Sequence, residues 1–228
     1  MSERRVPWLS CCCLVALGCG VGAAAAETLT PAREDPHHPL SARLEFYPHA
    51  ARMNRQQGLC RVALYTGADG MVRAVQLLDS TGYPQLDAAC IQSVALDRVI
   101  PATADGRPVP GWLDASIVWQ YSSESLIPTA VRNKWSVPRL PPYFQLRVGP
   151  EFYPQEARDR RQEGACFVLV HVDRQGAVRR ADIAKSSGYP LLDAACRDAV
   201  VAAPFAPAQG DEEFQDAVAA ITMFWRLG

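Results

Sequence analysis

The stretch Ser80-Thr81-Gly82-Tyr83-Pro84-Gln85-Leu86-Asp87-Ala88-Ala89-Cys90 returns 106 residues later as Ser186-Ser187-Gly188-Tyr189-Pro190-Leu191-Leu192-Asp193-Ala194-Ala195-Cys196. The same offset carries Phe46-Tyr47-Pro48 onto Phe152-Tyr153-Pro154, Gly58 onto Gly164, Gly70 onto Gly176 and Trp119 onto Trp225. The chain is one unit built twice. A period this long implies two tandem domains of ordinary size rather than a solenoid of short repeats.

Local pattern predicts the contents of one unit. Tyr47-Pro48 opens a helix, with Pro at the favoured first position, and Gly58 suits its left-handed end. Cys60, Val62 and Leu64 alternate with Arg61, Ala63 and Tyr65, the period of a strand. A turn at Gly67-Ala68-Asp69-Gly70 leads into a second strand over residues 72–78, completing a hairpin. After Gly82, Leu86, Ala89, Cys90 and Val94 fall on one helical stripe. Leu113, Ala115, Ile117 and Trp119 then alternate with polar residues as a last strand. The second copy repeats the order, with helix 154–162, strands 165–172 and 178–185, a helix carrying Leu192, Ala195, Cys196 and Val200, and a closing strand 219–227. The predicted fold is α+β: two tandem α-β-β-α-β domains, each with two helices on a three-stranded antiparallel sheet.

Cysteine placement adds a constraint. Cys60 shares the inward phase of its strand, and Cys90 lies on the buried stripe of its helix. Both point into one sheet–helix seam, as do Cys166 and Cys196, so the expected disulfides are Cys60–Cys90 and Cys166–Cys196. Such a bond stabilises by about 3–4 kcal/mol in the chain-entropy model.

Disulfides imply an oxidising compartment, and the N-terminus agrees. Arg4 and Arg5 precede an apolar run over residues 7–22, with Ala23 to Ala26 before Glu27, the layout of an export signal. An uncleaved anchor and lipid attachment at Cys19 stay open beside cleavage. The expected plan is leader 1–26, lead segment 27–39, domain 40–122, Pro-bearing linker 123–142 and domain 143–228. Net charge is −1 with no basic stripe, which argues against nucleic acid as a partner.

Taken in order, Tyr47-Pro48, Ala51, Gly58, Gly70, Ser80, Gly82, Leu86-Asp87, Ala89 and Pro101 form a set that recurs. Its second occurrence is Tyr153-Pro154, Ala157, Gly164, Gly176, Ser186-Ser187-Gly188, Leu192-Asp193, Ala195, Pro207 and Phe224-Trp225. This set resembles the TonB C-terminal domain. The resemblance implies a periplasmic protein–protein module of a Gram-negative envelope. Domains of that family capture an extended segment of an outer-membrane receptor alongside their last strand, by β-strand addition. Carried onto this chain, the partner-binding strand is Ala217–Trp225, with Val218, Ala220, Ile221, Thr222, Met223, Phe224 and Trp225 along it. The strand has no charge before Arg226 and no Pro, as expected of an unguarded edge. Cover by the other domain or by a second chain is the competing reading, and with it a purely structural envelope protein. The family's long Pro-rich spacer has no counterpart between Ala26 and Leu44.

The sequence offers little to catalysis. Ser186-Ser187-Gly188 is not the G-x-S-x-G of a nucleophile elbow, and no phosphate loop or carboxylate pair occurs. His37, His38 and His49 fall short of the four closely specified ligands of a structural zinc site. The expectation is a non-enzyme without cofactor or metal, acting on protein partners.

Overall fold

The computed structural model describes residues 28–120, 138–141, 144–209, 214–215 and 217–227. The leader, Cys19 and most of the linker lie outside the described residues.

In chain order the elements of the first copy are β1 (Leu29–Thr30), α1 (His49–Met53), β2 (Gly58–Thr66), β3 (Val72–Asp79), α2 (Pro84–Ala95), β4 (Ala102–Ala104), β5 (Arg107–Val109) and β6 (Gly111–Trp119). Those of the second are α3 (Gln155–Asp159), β7 (Gly164–Val172), β8 (Val178–Lys185), α4 (Pro190–Val201), β9 (Ala208–Gln209), β10 (Phe214–Gln215) and β11 (Ala217–Trp225). The predicted α-β-β-α-β order is present in each copy. Small additions, the three-stranded β1-β4-β5 sheet and the β9-β10 hairpin, fill the polar turns before the last strands.

The first helix of each copy is shorter than the sequence suggests. Pro48 and Pro154 stand just outside α1 and α3, in extended backbone. The left-handed residues after them are Arg55 (φ 50°) and Arg161 (φ 51°), not the glycines. Gly58 and Gly164 instead begin strands, and their missing side chain lets the next loop approach. A Cβ at Gly58 would lie 2.8 Å from Thr81 Cβ, and one at Gly164 only 2.4 Å from the Ser187 carbonyl.

Both expected disulfides are formed, with Cα–Cα distances of 6.8 Å for Cys60–Cys90 and 6.6 Å for Cys166–Cys196. All four cysteines are fully buried. They tie α2 to β2 and α4 to β7. Each copy also buries a terminal tryptophan against its opening tyrosine, edge to face, with Tyr47–Trp119 at 5.2 Å and Tyr153–Trp225 at 5.3 Å. The tyrosine hydroxyls donate to the carbonyls of Gln56 and Gln162, so both ends of each phenol are satisfied.

The two domains do not keep separate sheets. Their strands form one six-stranded antiparallel sheet in the order β6-β2-β3-β11-β7-β8. Copy one contributes β6-β2-β3 and copy two β11-β7-β8 in matching order, and β3 of copy one meets β11 of copy two. Ala74 and Met223 are opposite partners and belong to the core beneath α4. Val75 belongs to the core beneath α2, and opposite partners share a face. The long helices therefore cover opposite faces of the joined sheet, and copy two is turned over relative to copy one.

The repeat reaches further back than its sequence motif. Arg33 pairs with Ile100 and, 106 residues on, Arg139 pairs with Ala206, each through two backbone bonds of 2.7–3.1 Å. The segment leading into copy two also crosses copy one. Gln76 donates to the Pro138 carbonyl at 2.6 Å, Trp112 donates to the Phe144 carbonyl at 3.0 Å, and Leu140, Leu146 and Val148 are buried with Tyr65 and Ala74. Copy one thus has both sheet faces covered.

Candidate interaction edges

A β-sheet recruits an extended partner only where a strand has unpaired backbone groups, so each strand's neighbours decide what it can bind. The strand expected to be open, Ala217–Trp225, is an interior strand. Along one side it pairs with β7 from Ala217–Val172 through Trp225–Gly164. On the other, Ile221, Thr222 and Met223 pair with Gln76, Val75 and Ala74. The open-edge expectation is corrected on this point: copy one supplies the covering strand. Ile221 and Met223 are fully buried, and Phe224 is packed into the core of copy one.

The cover is partial. β3 follows its hairpin partner β2 and leaves β11 after Gln76, so, among the described residues, 217–220 have a strand partner on the β7 side alone. A groove of about 430 Å³ opens where the strands part. Phe167, Ala220, Thr222 and Phe224 form its floor, and Pro84, Ala88 and Ile91 of α2 form its wall. Lys185 stands at its rim, across the strand pair from Phe167. The groove is built from both copies.

The two outer strands of the joined sheet differ. β8 carries Arg179, Arg180, Asp182 and Lys185. Arg180 Nε lies 2.6 Å from Asp182, and His171 Nε2 lies 3.1 Å from the same carboxylate. Arg180, with His171 behind it, holds the Asp182 carboxyl below its ordinary value. Charges of this kind guard an edge against adventitious pairing. β6 is the copy-one counterpart of β11, and all nine of its residues pair with β2 on the inner side. Among the described residues no strand occupies its outer side. Ser116 and Val118 are exposed, and Asp114 is its single charge, bridged to Arg139. Sequence reasoning missed β6 because it weighed only the closing strand of the second copy. The signal lay in the offset: Ala74 and Gln76 of interior β3 become Arg180 and Asp182 on outer β8.

The recurring motif residues hold the loops that lead into the long helices. Asp87 accepts from Ser80 Oγ, Thr81 N and Thr81 Oγ1 at 2.5–2.8 Å. Asp193 accepts from Ser186 Oγ, Ser187 N and Ser187 Oγ at 2.6–2.7 Å. Burial works against the Asp193 carboxylate, and these donors outweigh it, leaving its pKa below the ordinary value. Gly82 and Gly188 take left-handed φ values of 86° and 93° in the same loops. Leu86 and Leu192 are fully buried beneath them. Tyr47, Pro48, Tyr153 and Pro154 set the start of each copy. These residues shape the loops and the start of each copy, and Asp87 is the one of them that lines the groove.

Among the described residues no group of three or more His, Cys, Asp or Glu is placed to hold a metal ion, and no helix is long and apolar enough to cross a membrane.

Comparison with protein families gives two tandem matches to the family described as Gram-negative bacterial TonB protein C-terminal, over residues 44–121 and 150–227. Comparison with curated proteins and with solved structures found no match.

Proposed function

Since the chain belongs to the TonB C-terminal family, twice over in tandem, we propose that it is a non-enzymatic protein-interaction module of the Gram-negative periplasm. It takes an extended segment of another envelope protein, of the outer-membrane receptor type, onto its sheet by β-strand addition.

The observation that carries this reading is the outer side of β6. Among the described residues, the nine of the family's last strand, Gly111–Trp119, are paired on one side only. Main-chain hydrogen bonds to such a strand supply affinity with little demand on partner sequence. The guarded β8 edge directs a partner to the opposite end of the sheet.

Hydrogen exchange on the intact chain tests the reading, with synthetic peptides covering the N-terminal segments of outer-membrane receptors from a Gram-negative host. Alternate amides of Gly111–Trp119 are expected to gain protection while those of Val178–Lys185 do not. Protection confined to β8, or none with any receptor segment, would refute it.

The β3–β11 junction supports a second reading, a structural envelope protein whose copies pack on one another. That reading predicts no receptor segment bound at any edge.

A further inference from the structure

We propose that a polar cavity between the first hairpin of copy one and the lead into copy two binds a small zwitterion of the α-amino-acid class. Its carboxylate sits on Arg73 and its ammonium on Glu151. The site is independent of strand addition and shares no residue with β6.

An unpaired donor points to it. Arg73 is only 7% exposed, so its guanidinium has left bulk water. Nη2 donates to Asp69 at 2.6 Å. Nε is buried and has no hydrogen-bond partner among the described residues. A buried donor left unpaired is costly, and more so on a charged group. The same side chain lines a cavity of about 340 Å³, far roomier than one water needs. That volume falls within the roughly 300–1,000 Å³ of ligand sites.

Copy two shows which chemistry such an arginine takes. Its counterpart, Arg179, lies 2.6 Å from one oxygen of Asp173, whose other oxygen accepts from the amides of Gln175 and Ala177. Position 173 corresponds to Gly67 in copy one (173 − 106). There the carboxylate comes instead from Asp69, which accepts from the Met71 amide and reaches Arg73 through Nη2. A Cβ at Gly67 would stand 3.3 Å from Arg73 Nε, so the bare glycine keeps that flank clear. Copy one thus leaves open to a ligand what copy two closes with its own side chain.

The second charge comes from the other copy. Glu151 lines the same cavity, is exposed, and makes no ion pair among the described residues. Its charge is felt at the Tyr65 phenol across the cavity, which burial first and Glu151 second push above its ordinary value. A lone anion there would face the carboxylates of Asp69 and Glu151, and a lone cation would leave Nε unpaired. One molecule carrying both charges answers both walls. Tyr65, Pro110 and Val148 supply apolar surface for a short side chain.

The test is an NMR titration of the full chain with L-alanine, N-acetyl-L-alanine and L-alaninamide. Alanine is expected to give saturable shifts at the amides of Ala68, Asp69, Gly149 and Glu151, with each blocked analogue at least tenfold weaker. Gly67→Asp combined with Asp69→Gln copies the Asp173–Gln175 turn into copy one and should abolish these shifts at an unchanged unfolding midpoint. Glu151→Gln, on an exposed side chain, should weaken them several-fold. N-acetyl-L-alanine binding as well as alanine would overturn the zwitterion. Shifts that survive the transplanted turn would overturn the site. So would the absence of saturable shifts at tens of millimolar alanine, which would leave water alone on Nε. None of these results bears on receptor segments at β6.

Discussion

Val75 lies directly opposite Thr222 in the joined sheet, although the two belong to different copies and are 147 positions apart (222 − 75). This pairing turns the strand that resembles a family docking edge into the middle of a six-stranded sheet.

Thr222→Pro should therefore act on folding. An interior strand needs its N–H groups on both sides, and proline removes one. The carbonyl left without its donor costs at least about 1–3 kcal/mol. Urea denaturation of the variant should show a lower midpoint. An unaltered midpoint would mean that β11 is not held between two neighbours.

Replacing Cys60 and Cys90 together by alanine should cost about 3–4 kcal/mol, as should the Cys166 and Cys196 pair. Because both copies share one sheet, loss of either staple should lower the unfolding midpoint of the whole chain in a single transition. Two separated transitions, with one copy unaffected, would show that the copies are energetically independent.

Two glycines of copy two make a matched contrast. Gly176 has φ 84°, and a Cβ there would stand 2.1 Å from the Phe205 carbonyl oxygen. Gly188 has φ 93° with nothing within 4 Å of the added atom. Gly188→Ala should cost about 1–2 kcal/mol, from backbone strain alone. Gly176→Ala should cost clearly more, because the carbonyl must move as well. Equal losses by chemical denaturation would contradict the packing at the turn.

The Asp193 loop should loosen in acid. Its carboxyl is held below the ordinary value in the folded chain, so its contribution is fully present above the ordinary carboxylate value. It is lost as pH falls through the depressed value. Exchange of the Ser187 amide, which donates to Asp193 at 2.7 Å, should accelerate over that interval relative to other loop amides. Asp193→Asn should remove the pH dependence.

Much of one repeat was legible because its determinants are local. The alternation around Cys60, the helical stripe through Cys90 and the Gly-rich turn at Gly70 specify a hairpin, a helix and a staple within thirty residues of one another. The short α1 and α3 were less so, since an arginine adopts the left-handed position that Gly58 and Gly164 seemed made for. The junction was not legible from one copy. Period-two alternation tells which face a residue takes and says nothing about which strand lies beside it. Comparing the copies carries that information. Tyr65, Ala74, Gln76 and Trp112 sit under the crossing segment, and their counterparts His171, Arg180, Asp182 and Val218 lie on a face without that cover.

The distance between Val75 and Thr222 also sets the order of events as the polypeptide is made. N-terminal units fold first, and closure of so long a loop is slow to be rewarded. Copy one can form its hairpin and its Cys60–Cys90 bond while the residues of β11 have yet to emerge. Through that interval β3 offers Val72, Ala74, Val75 and Leu77 along an edge with Arg73 as its lone charge before Asp79. The nascent first copy is thus adhesive until the second is complete, and its maturation depends on keeping that edge from a neighbouring chain.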